Sequence, residues 1–151
     1  MKHEVSPLER HIGYWMRFVS NHVSHAFSQK LEALGVTVAE WVLLRELLRK
    51  GKTAPSELAE SMGMTRGAIS KLVDRLVAKE LVLRDHESGD RRYQSLALSD
   101  AGRLLVPQLA ALADENDHQF FGHLKKRERK ELMALLQGLV EHHEWKDHPI
   151  A

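Results

Sequence analysis

The sequence predicts a mainly α-helical chain with one small two-stranded β element, and three observations carry that expectation. Apolar residues recur at helical spacing along most of the 151 residues. Serine, threonine, proline and glycine interrupt the pattern where helices should start and stop. The period shortens toward two only at residues 81–98, on either side of a polar loop.

Ser6-Pro7-Leu8-Glu9 predicts the first helix start, with Ser6 as cap, Pro7 at the first helical position and Glu9 completing a capping box. Leu8, Ile12, Trp15, Val19, Val23, Ala26 and Leu31 follow at helical spacing, and Gly35 is the expected stop. Such a helix is roughly 42 Å long at about 1.5 Å per residue. It overhangs a compact body of this size, and Tyr14, Phe18 and Phe27 on its other faces also need burial. A second copy of the chain is the simplest cover, so a homodimer is expected.

Thr37-Val38-Ala39-Glu40 is a second capping box, opening a helix with Trp41, Leu44, Leu47 and Leu48 that Gly51 closes. A third helix starts near Pro55 and is broken by Gly63. Thr65 caps a fourth that reaches about Lys79. Leu81–Arg84 and Tyr93–Leu98 read as strands around the loop His86-Glu87-Ser88-Gly89-Asp90-Arg91-Arg92. Ser99 caps a long fifth helix that Pro107 should kink. A sixth carries Leu132, Leu135, Leu136, Leu139 and Val140, but its start at Lys125-Lys126-Arg127 has no capping side chain and opposes the helix dipole.

The most specific signal is Pro55 to Leu72, PSELAESMGMTRGAISKL. A helix-turn-helix needs a small residue where its helices cross (Ala59), a turn residue tolerant of positive φ (Gly63), and apolar pins (Leu58, Met62, Ile69, Leu72). Ile69, Leu72, Val73 and Leu76 then form the buried stripe of the second helix. Its other face presents Thr65, Arg66, Ser70, Lys71 and Arg75, side chains suited to base edges and phosphates in a major groove. Net charge is only +1, but residues 64–79 hold four basic side chains, including Lys79, against one acid, Asp74. The hairpin tip adds Arg91 and Arg92, suited to a minor groove, with Asp90 as their orienting partner. The fold class expected is therefore mainly α with a small β-wing. A winged helix-turn-helix DNA-binding lobe should span residues 37–98, and a helical dimerisation region residues 1–36 and 99–151.

Together these features resemble the MarR family of winged helix-turn-helix transcriptional regulators. The resemblance runs from Pro7 to about His143. It rests on Gly35-Val36-Thr37-Val38-Ala39-Glu40-Trp41, the helix-turn-helix, Asp74-Arg75-Leu76, Asp90-Arg91-Arg92 and Leu98-Ser99-Asp100-Ala101-Gly102. It implies a dimer knitted by the first, fifth and sixth helices and bound to a pseudo-palindromic operator in double-stranded DNA. It also implies repression relieved when a small, often aromatic and anionic effector enters a cleft beside the DNA-binding lobe. Trp15, Phe18 and Trp41 can line such a cleft, with His11, Arg17 or Arg45 meeting a carboxylate; the alternative for the aromatics is core. The family's thiol-oxidation branch is excluded, because the chain has no cysteine.

Other classes are disfavoured. The sequence shows no glycine-rich phosphate loop, nucleophile elbow or acid/base pair, so no enzyme is expected. The spacings among the ten histidines, His22 and His25 included, are not diagnostic of a metal site, and no metal or cofactor is expected. No apolar run approaches a membrane span and no signal peptide is evident, so a cytoplasmic protein is expected. A winged-helix module that binds only protein is the competing reading, opposed by the basic recognition helix and the arginine-bearing loop.

Overall fold

The computed structural model describes residues 4–86, 94–146, 148 and 149. Among them the order is a 3₁₀ turn Leu8–Arg10, α1 Ile12–Glu32, α2 Val38–Lys50, α3 Pro55–Met62, α4 Arg66–Ala78, β1 Val82–His86, β2 Gln94–Leu98, α5 Asp100–Phe121 and α6 Lys126–His142. This is the mainly helical chain with a two-stranded antiparallel wing that the sequence predicts. No described helix is long and apolar enough to cross a membrane.

The first boundary differs from expectation. Ser6 caps nothing, and the chain makes one 3₁₀ turn before His11 turns extended (φ −93°, ψ 124°) and α1 begins. The Trp15 indole N–H donates to the Glu9 carbonyl at 2.9 Å, which fixes this knuckle against the helix. At 21 residues α1 is about 32 Å long, shorter than the sequence implied. The start of α6 also differs in detail. Glu128 accepts the Lys125 backbone N–H at 2.8 Å, half of a capping box, so the cap comes from inside the helix. Helix α5 continues through Pro107, which removes the ladder bond to the Arg103 carbonyl without ending the helix.

The core sits where α2, α3, α4, the strands and the C-terminal part of α1 meet α5. Leu31, Leu43, Leu44, Leu58, Met62, Ile69, Leu72, Leu76, Leu96 and Leu109 are all fully or almost fully buried in it. The strands pair antiparallel from Val82 opposite Leu98 to His86 opposite Gln94. Thr53 adds a bridge to Leu96, its N–H donating to the Leu96 carbonyl at 3.0 Å and its carbonyl accepting the Leu96 N–H at 2.7 Å. Between α1 and α5, buried Asn116 donates to the Val23 carbonyl at 3.1 Å and accepts from Lys30 Nζ at 2.9 Å. Gly102 meets the Leu81 carbonyl so closely that a Cβ there would run into it, which holds the start of α5 against the end of the α4 segment.

The capping box of α2 forms as expected. Thr37 Oγ1 accepts the Glu40 N–H, and the Glu40 carboxylate accepts the Thr37 N–H, both at 3.1 Å. Glu40 is fully buried, and Lys79 reaches it from the end of α4 at 3.0 and 2.8 Å. Burial pushes the Glu40 carboxyl up. The Lys79 hydrogen bond, those of Thr37 and the lysine charge together push it further down, to a net value below the ordinary 4.5. The stability contributed by ionised Glu40 is therefore complete above about pH 4.5 and is lost as pH falls through its lower folded value. Glu40→Gln should destabilise the protein near neutral pH by about 1–3 kcal/mol. In urea unfolding the gap from wild type should narrow as pH drops below 4.5. A gap that stays constant to about pH 3 would show that folding does not lower the pKa of this carboxyl.

Candidate nucleic-acid interface

The reading head is built by burying one side of two short helices. Proline occupies the first position of α3, where its missing N–H costs nothing. Leu58, Ala59 and Met62 face inward. Gly63 then takes the left-handed conformation (φ 64°, ψ 31°) that a side chain would disfavour, and turns the chain between the helices. Thr65 Oγ1 accepts the Ala68 N–H at 3.1 Å and starts α4. Ile69, Leu72, Val73 and Leu76 are all buried, so the opposite face has nowhere to go but outward.

That face carries the residues the sequence singled out. Thr65, Arg66, Ser70, Lys71 and Arg75 are all exposed. Residues 66, 70 and 74 form one row at intervals of four, and 67, 71 and 75 the next. Three cations there, Arg66, Lys71 and Arg75, make no ion pair or side-chain hydrogen bond among the described residues. The fourth cation of the segment, Lys79, behaves otherwise: its Nζ donates to Glu40 and, at 2.7 Å, to the Gly35 carbonyl. Lys79 therefore does not belong with the unpaired cations of this face, although the local charge sum counts it there. Sequence reasoning also passed over Asp74 as a contact. It lies on the exposed face and pairs with Arg84 of β1, tying α4 to that strand. A second pair, Lys52 with Asp85 at 2.8 Å, ties the α2–α3 connection to the same strand. Asp90, Arg91 and Arg92 lie outside the described residues.

The candidate effector residues fall into two groups. Trp15 and Phe18 are half exposed on α1, in a chain of rings with Tyr14 and His22. They line an open apolar groove of about 710 Å³ with Phe120, Phe121, Leu132 and Leu136. His11 is exposed, with Nδ1 3.3 Å from the Leu8 carbonyl, and Arg17 is exposed on α1. Trp41 instead packs edge-on against Phe27, with ring centroids 6.4 Å apart, and Arg45 lies over its face at 5.7 Å. Phe27 is twelve residues beyond Trp15, about 18 Å along the same helix. Phe18, the nearer ring, is nine residues or about 14 Å from Phe27, so the two groups are separate clusters on this helix.

Residues 34–92, the span holding α2, α3, α4 and β1, match the family model described as MarR family. That segment, 59 of the 151 residues, is similar to the MarR family of winged helix-turn-helix proteins. Among curated relatives, the HTH-type transcriptional repressor MdtR of Bacillus subtilis is 35% identical over 83 residues, covering 55% of this chain and about half, 54%, of MdtR. Among solved structures, Bordetella bronchiseptica BpsR, described with regulation of its DNA binding by 6-hydroxynicotinic acid, superposes with a TM-score of 0.75. It has 23% identity and covers 90% of this chain and 97% of BpsR. A variant of Escherichia coli MarR complexed with operator DNA gives 0.73 at 23% identity, covering 85% and 93%. The MarR fold thus accounts for the architecture.

Two glycines on this head have opposite requirements. Gly63 needs its positive φ, whereas Gly67, on the exposed face of α4, has open space where a Cβ would stand. Gly63→Ala should cost about 1–2 kcal/mol, the penalty of a left-handed non-glycine residue. Gly67→Ala should add about 0.5–1 kcal/mol by restricting the unfolded chain. Urea titrations of the two variants check this, and equal effects of the same sign would contradict the turn assignment.

Proposed function

We propose that this chain is a homodimeric repressor that places α4 of each copy in the major groove of a pseudo-palindromic operator. The observation that carries this is the exposed row of Arg66, Ser70, Lys71 and Arg75, fixed by the buried row behind it and unpaired within the described chain. Thr65 and Arg66 stand at the helix N-terminus, the end that approaches base edges. Arg91 and Arg92 remain assigned from sequence to the flanking minor groove and phosphate, with Asp90 holding Arg92. Residues 37–98 form the DNA-binding lobe, and residues 1–36 with 99–151 the dimerisation region. Supporting a dimer, α6 buries none of its residues and α1 exposes Ile12, Trp15, Met16 and Phe18 toward the same apolar groove.

Binding of duplex DNA should weaken with salt in proportion to the phosphates contacted. Lys71→Ala and Arg75→Ala should each lower affinity; a base-reading Arg75 should cost about 1–3 kcal/mol and relax specificity at one position per half-site. Light scattering should give twice 17.3 kDa. A monomer, or two variants that bind like wild type, would overturn the reading.

For the effector, Trp41 with Arg45 is the better candidate of the two groups. It combines an aromatic face with a guanidinium that has no carboxylate partner among the described residues. Trp15 and Phe18 belong to the groove that a second copy would cover. A small aromatic carboxylate should therefore release DNA; the DNA binding of BpsR, a protein of this fold, is regulated by an acid of that class, 6-hydroxynicotinic acid. The expected coupling is about 1–3 kcal/mol. Arg45→Ala should abolish both the thermal shift and the release produced by such acids; a full response in that variant would exclude the site.

A further inference from the structure

The C-terminal end of α4 is held more firmly than its DNA-facing end. Lys79 uses three hydrogen bonds there: to the Gly35 carbonyl at 2.7 Å and to both oxygens of Glu40 at 3.0 and 2.8 Å. Gly35 lies in the turn after α1, with φ 74°, and Glu40 lies in the first turn of α2. On the other side, Ser99 Oγ donates to the Glu80 carbonyl at 2.6 Å and the Ser99 N–H to the Leu81 carbonyl at 3.0 Å, at the start of α5. The remaining hold on α4 is apolar burial, which is non-directional, and the Asp74–Arg84 pair, which joins it to the wing.

This arrangement makes α4 a lever. Its 13 residues span about 20 Å. A tilt of about 10° at the Lys79 end moves the Arg66 end by about 3.4 Å, the rise of one base pair. An added base pair also rotates one half-site by about 34–36° relative to the other. A tilt of that size matches the rise but not the rotation, so a bracket that resists it holds the axial reach of each α4 to one half-site separation.

We propose that Lys79 is a positioning residue: with Glu40 and the Gly35 carbonyl it locks the recognition helix to the α1–α2 junction and so sets the half-site spacing that the dimer accepts. The inference rests on the dimeric DNA-binding reading above. It assigns to a basic residue of the recognition segment a role that involves no contact with DNA.

The test uses the full-length protein and a palindromic duplex that the wild type selects from a random library, with versions carrying one base pair more or fewer at the centre. Lys79→Met and Glu40→Gln, each shown to be folded by circular dichroism at the assay temperature, should weaken the preference for the selected spacing by about 2- to 30-fold. The double variant should do no more than either single one, because the two residues act as one unit. The slope of log affinity against log salt should stay that of wild type, whereas a phosphate-contacting lysine would make it shallower by about 0.9 per contact. Lowered thermal stability with unchanged spacing preference in both variants would overturn the proposal by showing a purely structural bracket. A shallower salt slope for Lys79→Met would overturn it by showing a DNA contact. If the wild type selects no duplex or is a monomer, the underlying reading falls, an outcome separate from any result with the variants.

Discussion

The reading head depends on burial behind a helix too short to stand alone. Helix α3 has eight residues, below the roughly 12–15 at which isolated helices become even marginal in water. Its existence rests on Leu58, Ala59 and Met62 being covered by α4 and α2. Each fully buried leucine or methionine contributes about 1.5–3 kcal/mol. The same burial removes Ile69, Leu72, Val73 and Leu76 from one side of α4. The polar side of α4 is exposed as a consequence, so the chemistry of the surface follows from the packing of the core.

Charge within this head divides by position. Arg66, Lys71 and Arg75 stand on the open face, while Lys79, one turn beyond Arg75, reaches back to a buried carboxylate. Asp74 faces outward too, but its partner Arg84 belongs to β1. Two of the five charged residues between 64 and 79 thus hold the lobe together, one at the wing and one at the α1–α2 junction. A net charge of +1 conceals both roles, because charge sums do not record who faces whom.

The long helices pose a different problem. α1 and α5 meet through a buried polar clamp, Lys30 to Asn116 to the Val23 carbonyl. Such directional bonds fix how two helices cross, where apolar contact alone allows sliding. Beyond that clamp, Ile12, Trp15 and Phe18 on α1 and Leu135 and Leu139 on α6 remain exposed. An apolar surface of this extent on two neighbouring elements marks an interaction site, consistent with the proposed dimer.

Local chemistry was legible in the sequence wherever neighbours in the chain decide the structure. Thr37 with Glu40, Thr65, Ser99, Gly63 and the buried stripe of α4 all follow from side chains within a few residues of one another. The family followed from their order. Ser6 misled because a cap requires the following turn to be α-helical, and the Trp15–Glu9 bond favours a 3₁₀ turn instead. Glu128 was missed because it caps from inside the helix. Contacts between residues far apart were not legible: Lys79 with Glu40 across 39 positions, Asn116 with Val23 across 93, and the separation of Trp15 from Trp41 into two clusters. The sequence by itself determined which segments are helical, the caps at Thr37, Thr65 and Ser99, and the stripe that buries one side of α4, because those rest on local hydrogen bonds and a 3.6-residue period. Only the tertiary structure decided which charges on that element are free and which are bound, because that depends on which distant groups folding brings within hydrogen-bonding distance.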